Sequence, residues 1–243
     1  MSLILQHSLP PEMRAPSRLP GTAPAASDDW LRVDDAYAGQ MARRIDLLET
    51  RAAEVLFLDP TALGAAREVL AQARHLLPGL GFEDGPDGIR CPDGRLVVAD
   101  QSDPLGTLGR LVQEDICLMR KEGAEHVLVG AVLCFPASWR LAEKAGRPLV
   151  GIHAPVAEYD DALARRVQRL FDGVRVGRPL WRFNRLWYED PELFQPRSRV
   201  APRAMAGAPA PYVRSERQCI LRMPDSDVCV FTIHTYVVRA GDA

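Results

Sequence analysis

The C-terminal end constrains this chain more than any other stretch. Two strand-like runs, Arg217–Met223 and the β-branched and aromatic Val228–Arg239, flank Pro224-Asp225-Ser226-Asp227. Such a turn cluster between two extended runs is a hairpin signal. Cys229, Phe231, Ile233 and Thr235 alternate with Val228, Val230, Thr232, His234 and Tyr236, so both faces of the second strand are largely apolar or aromatic. A strand wetted on one face would show polar residues at every second position. This hairpin is therefore expected at the centre of an antiparallel sheet, covered by other elements.

The preceding chain supplies the cover. Tyr37, Met41, Ile45, Leu48 and Ala52 recur at spacings of three and four, which predicts a helix. Asp59 before Pro60 is a capped helix start, followed by Leu63, Val69, Leu70, Ala73 and Leu77 and closed by Pro78-Gly79. Arg95–Asp100 reads as a short strand and Asp103–Val112 as a brief helix. Asp115–Arg120 and His126–Phe135 read as a second hairpin across Lys121-Glu122-Gly123, and Pro148–His153 as a further strand. Asp160 is placed to cap a helix through Val174 with the stripe Leu163, Val167, Leu170 and Phe171, and Val176–Tyr188 reads as extended. The expected class is α+β: an antiparallel sheet with helices on one side and an N-terminal helical layer. Residues 1–29, with Pro10, Pro11, Pro16, Pro20 and Pro24, read as a proline-rich arm draped over a single domain spanning 30–243.

Composition excludes several classes. A formal net charge of -2 and a pI near 6.2 give no global basic field for nucleic acid or an anionic membrane. No apolar run reaches the roughly 20 residues of a membrane span, and Met1–His7 lacks the features of a secretory signal. Cys91, Cys117, Cys134, Cys219 and Cys229 are scattered, which argues against a disulfide framework and against a cysteine-ligated iron–sulfur cluster. These features point to the cytoplasm. There is no phosphate-binding glycine loop, no nucleophile elbow and no zinc signature.

Five local strings could carry chemistry. His153, in Gly151-Ile152-His153-Ala154-Pro155-Val156, reads either as a satisfied core histidine or as an imidazole offered to iron. Gln113-Glu114-Asp115 places two carboxylates at a strand start, where they hold a cation, pass protons or simply face water. Cys134-Phe135-Pro136-Ala137-Ser138-Trp139-Arg140 ends a strand in a proline turn, with Lys144 shortly beyond. Arg182-Phe183-Asn184-Arg185-Leu186-Trp187 interleaves basic and amide groups with aromatics. Arg214-Ser215-Glu216-Arg217-Gln218 either anchors carboxylates such as haem propionates or forms an Arg–Glu network pinning a loop to the sheet.

Taken in order, these strings resemble the haem-dependent oxidative N-demethylase family. The resemblance rests on Tyr37 with Arg44, Leu76-Leu77-Pro78, Gln113-Glu114-Asp115, Phe135-Pro136-Ala137-Ser138-Trp139 and Glu143-Lys144-Ala145-Gly146. It continues through Ile152-His153-Ala154-Pro155-Val156, Arg182-Phe183-Asn184, Arg214–Gln218, Leu221-Arg222-Met223-Pro224 and Phe231–Tyr236, covering about residues 30–239. It implies a PAS-like sheet-and-helix fold that holds haem b through His153, with His234 as the alternative iron ligand. It also implies cofactor contacts from Arg214, Arg217, Trp139, Arg182 and Asn184, and catalytic roles for Glu114, Asp115 and Tyr236. The implied reaction uses O2 to demethylate a small secondary amine such as dimethylamine, releasing formaldehyde. Electrons come from a separate NADPH-dependent reductase carrying flavin and a 2Fe–2S centre. Arg185 and His234 depart from the family pattern, which more often has an aromatic residue and an arginine there. A haem-binding sensor without catalysis and a haem-free partner-binding subunit are the competing readings.

Overall fold

The computed structural model describes residues 3–14, 21–153, 161–197 and 210–243, apart from the side chains of His153 and of residues 161–164. Asp160, the Leu163 side chain, Ala154-Pro155-Val156 and most of the loop expected over Pro196–Pro211 lie outside that description.

In chain order the elements are β1 (Ala23–Pro24), α1 (Tyr37–Thr50), α2 (Ala52–Val55), β2 (Leu56–Leu58), α3 (Leu63–Leu76), β3 (Glu83–Gly85), β4 (Gly88–Arg90) and β5 (Leu96–Val97). There follow α4 (Pro104–Leu111), β6 (Asp115–Glu122), β7 (Glu125–Val132), α5 (Leu149–His153), α6 (Asp161–Gly173), β8 (Leu180–Tyr188), β9 (Tyr212–Arg222) and β10 (Cys229–Arg239). Among the described residues no helix is long and apolar enough to cross a membrane.

Seven strands form one antiparallel sheet in the order β1-β8-β9-β10-β6-β7-β2, and β3, β4 and β5 form a small separate sheet. The closing hairpin is central, as its two apolar faces require: β10 pairs with β9 from Cys229↔Arg222 to Arg239↔Tyr212 and with β6 from Cys229↔Met119 to Ile233↔Asp115. The class is α+β. The short Arg95–Asp100 strand contracts to β5 and belongs to the small sheet.

Because partners in antiparallel register share a face, the core divides into two layers. On one side Ile116, Leu118, Val132, Cys219, Leu221 and Val230 pack with Met41, Leu48, Val69, Leu70, Leu105 and Leu108 of α1, α3 and α4. On the other, Cys117, Met119, Ala131, Ile220, Cys229 and Ile233 pack with Leu149 and Ile152 of α5 and with Phe171 and Val174 at the end of α6. The expectation of helices on one side thus describes α1, α3 and α4, while α5 and α6 cover the opposite face.

The helix starts follow their caps. Asp59 accepts the amide of Thr61 at 2.8 Å, and a 3-10 turn from Pro60 leads into α3. Asp103 accepts the amide of Gly106 at 3.0 Å with Pro104 in the first turn of α4. Gly109 lets α4 approach β7: a Cβ there would stand 2.7 Å from Cγ2 of Val132.

Two expectations change. Pro148–His153 is not a strand; its end forms α5, closed by the amide of Ile152 on the carbonyl of Pro148 at 2.9 Å. Leu149 and Ile152, three apart, bury against the sheet while Val150 stays exposed, so helical spacing wins over the β-propensity of the run. The arm is also more than draped. Leu9 and Met13 are fully buried against Val213, Tyr236 and Val238, Gln6 bonds the backbone of Thr235 and Val237, and Ala23-Pro24 pairs with β8.

Candidate functional site

The expected site residues fall into two groups, divided by strand parity. Register puts Arg182 opposite Gln218, Asn184 opposite Glu216, and Glu216 opposite Thr235. These residues share the face on which α5 and α6 pack. His234 is opposite Arg217, and Tyr236 opposite Ser215; these occupy the face covered by the arm and the N-terminal helices.

On the α5 face a polar row crosses three strands. Asn184 Nδ2 donates to Glu216 Oε2 at 2.9 Å, and Asn184 Oδ1 accepts the Glu216 amide at 3.0 Å. Gln218 Nε2 donates to the same carboxylate at 3.2 Å. The Oγ1 of Thr235 is buried and takes no partner. Arg182 is half-buried and forms no hydrogen bond or ion pair among the described residues. Burial pulls its pKa down, with only Glu216 opposing. A half-buried guanidinium that makes no hydrogen bond is costly, and Glu216, already engaged by Asn184 and Gln218, acts on it only through space.

α5 delivers His153 to this side. Lys144 Nζ donates to the carbonyl of Ile152 at 3.2 Å and lies 4.4 Å from the centre of the Trp139 ring. Ser138 adopts the left-handed conformation at φ 67, reversing the chain just before Trp139. Trp139 and Lys144 together pin the end of α5. The His153 side chain itself lies outside the described residues.

Arg214 is already committed. Its guanidinium donates to the carbonyls of Leu193 at 3.0 Å and Phe135 at 2.5 Å and stands 3.4 Å from Glu216. This is the loop-pinning network weighed from the sequence. Asp115 is committed as well: it pairs with Arg44 at 2.7 Å with both side chains fully buried, and it accepts the amides of Cys134 and Phe135 at 2.7 and 2.9 Å. Burial pushes the Asp115 carboxyl up against the pull of Arg44 and those two amides.

On the opposite face His234 sits between two carboxylates. Its Nδ1 meets Glu114 Oε1 at 2.8 Å and its Nε2 meets Asp34 Oδ2 at 3.0 Å. Burial alone would lower its pKa, but Tyr236, Glu114 and Asp34 raise it well above the usual value. Asp34 is held near 2, because the donors His234, Gln113 and Gln6 outweigh its burial. The Tyr236 ring lies against His234, tilted by 40° with ring centres 4.7 Å apart. Both nitrogens of His234 are therefore occupied, and neither offers a lone pair to a metal. Arg217 pairs with Asp29 at 2.7 Å. An open cleft of about 580 Å3, bounded by Leu9, Arg32, Asp34 and Tyr236 among others, lies beside this cluster.

The structure thus separates Glu114, Tyr236, His234 and Arg217 from Arg182, Asn184, Trp139 and the helix bearing His153. Reasoning from the sequence missed Thr235, Gln218 and Asp34. The alternation in β10 contained the signal for Thr235; Asp34, remote in sequence, gave none.

The α5 face suits an anionic, largely apolar group: Arg182 supplies a guanidinium with no hydrogen bond or ion pair among the described residues, Thr235 an unused hydroxyl, and the adjoining Ile220, Ile233 and Phe231 an apolar wall. A family model described as haem-dependent oxidative N-demethylase, alpha subunit-like, matches residues 21–242. With nearly its whole length matched, the chain belongs to the haem-dependent oxidative N-demethylase alpha subunit-like family.

Proposed function

We propose that this chain holds haem b on the α5 face of its sheet, with His153 as the iron ligand and Arg182 answering a propionate, and that it demethylates a small secondary amine such as dimethylamine. The unit that does so is the domain spanning 30–243, with the proline-rich arm of residues 1–29 preceding it; the described arm residues Leu9 and Met13 pack against Val213, Tyr236 and Val238. The order β7-β6-β10-β9-β8, in which the first long hairpin sits beside the last strand, supports the PAS-like reading. The five cysteines, all free and buried, support a reducing, cytoplasmic setting.

Bound haem supplies O2 activation at its iron. In the overall balance O2 takes up two electrons and two protons; one oxygen atom leaves as water and the other in formaldehyde, while the secondary amine becomes a primary one. The electrons come from a separate NADPH-dependent reductase carrying flavin and a 2Fe–2S centre. The chain's own part is positional. Lys144 and Trp139 fix the end of α5, and so the backbone that presents His153. Asn184 and Gln218 orient the Glu216 carboxyl, which is the acidic group offered to a cationic amine on this face. Asp115 and Arg44 anchor the strand start from which Glu114 departs to the other face, where its Oε1 meets His234 and its Oε2 makes no hydrogen bond among the described residues.

The observation that carries the reading is the half-buried Arg182 guanidinium, without a hydrogen bond or ion pair among the described residues, on the face that α5 covers. The test is optical. Chain purified after expression with ample haem supply is expected to show a Soret band that is lost in His153→Ala, retained in His234→Gln, and weakened in Arg182→Gln. Formaldehyde release from dimethylamine is expected to follow the band. A colourless wild-type protein, or a band indifferent to His153→Ala, would overturn the proposal.

A further inference from the structure

We propose that the outer face of α6 and the turn after it form the docking surface for an acidic electron-donor protein carrying an iron–sulfur cluster. This rests on the haem reading above and gives it a partner surface. Helix α6 turns Val167, Leu170 and Phe171 toward the sheet and Arg165, Arg166 and Arg169 to solvent; Arg175 and Arg178 follow in the exposed turn. None of these five side chains takes a hydrogen-bond or ion-pair partner among the described residues. Arg51, Arg74, Arg90 and Arg120, by contrast, each face a carboxylate.

Between Arg165 and Arg178 the only acidic residue is Asp172, and it is turned away onto Lys121 and Gln168. Arg165 and Arg169 stand one helical turn apart, where like charges destabilise a helix. An anionic partner relieves that repulsion. All five cations are arginines, whose planar forks match carboxylates two bonds at a time. Val176, half exposed between Arg175 and Arg178, adds an apolar contact. The patch is small and bears no exposed aromatic platform, in a chain of net charge -2, which disfavours single-stranded nucleic acid.

The location fits the chemistry. α6 packs on α5, whose last residue is His153, so a donor seated here lies on the side where the haem is proposed. With haem held on that side, one electron would pass per docking event from the donor's reduced cluster to the haem, with no group transferred.

The test is calorimetric, using the full chain and a soluble acidic 2Fe–2S ferredoxin as probe. Binding is expected at low salt and is expected to vanish at about 1 M salt, where the screening length is roughly 3 Å. Joint replacement of Arg165, Arg166 and Arg169 by Glu should weaken it by about tenfold or more, while Lys at the same positions should keep most of it. Formaldehyde release driven by dithionite should be unchanged in the Glu variant. Absence of low-salt binding, equal affinity in the Glu variant, or preferential retention on anionic vesicles or single-stranded DNA would overturn the docking proposal. Since calorimetry needs no haem, a colourless chain that still shows charge-dependent binding would sink the haem reading alone.

Discussion

His234 carries a buried positive charge because two carboxylates flank it, and that charge ties stability to pH. Its folded-state pKa lies well above the usual value, so its contribution is complete below about pH 6.5 and is lost as the pH rises through the folded value. Asp34 has the opposite sign: its carboxyl is held near 2, so its contribution is present above about pH 3.9 and disappears as the pH falls through 2. Urea unfolding across the alkaline range should show the wild type losing stability relative to His234→Gln, which has no such proton to release. At neutral pH the variant should be less stable by about 3–5 kcal/mol, the cost of leaving buried carboxylates uncompensated. Parallel stability-versus-pH curves for the two proteins would show that the imidazole is not charged in the native state. Strand parity sets this role, and parity is readable in the sequence; the identity of the second carboxylate, Asp34, is not.

At the scale of elements, the caps and hairpin turns carry most of the legible signal. Asp59-Pro60 and Asp103-Pro104 announce α3 and α4 because an acidic cap followed by proline satisfies the first helical amides. α5 escaped, since Leu149, Val150 and Ile152 read as strand by propensity and only burial of Leu149 with Ile152 makes them helical. The contact of α4 with the sheet depends on one missing side chain. Gly109→Ala would drive a Cβ against Val132 on β7 and against Leu48 on α1. Overpacking of about 1–3 kcal/mol exceeds the helix-propensity gain of about 1 kcal/mol, so thermal unfolding should show a lower midpoint. A raised midpoint would mean that α4 has room to move off the sheet.

At the scale of the molecule, the sheet is a partition with a different job on each side. The arm side answers nearly every charge internally, by His234 with Asp34 and Glu114 and by Arg217 with Asp29. The α5 side leaves Arg182 without a hydrogen bond or ion pair among the described residues. The arm belongs to the folded unit, because Leu9 and Met13 fill a hollow above Val213, Tyr236 and Val238 that no helix reaches. Leu9→Ala should therefore cost about 2–5 kcal/mol, as for a packed core leucine, rather than the roughly 0.5 kcal/mol of a surface change. Denaturant titration distinguishes the two outcomes, and the smaller value would return the arm to a loose strap.

The central closing hairpin, the α+β class, the capped helices and the family strings were all determined by the sequence itself, because period-two alternation, turn chemistry and caps are local and act before the chain closes on itself. The side of the sheet on which each candidate group works was decided by tertiary structure. Neighbouring residues such as Glu114 and Asp115 point to different partners, one to His234 and the other to Arg44, and residues far apart in the chain, such as Asp34 and His234, meet only when the strands take their register. Burial then sets which charges are paired, and leaves Arg182, on the α5 face, without a hydrogen bond or ion pair among the described residues.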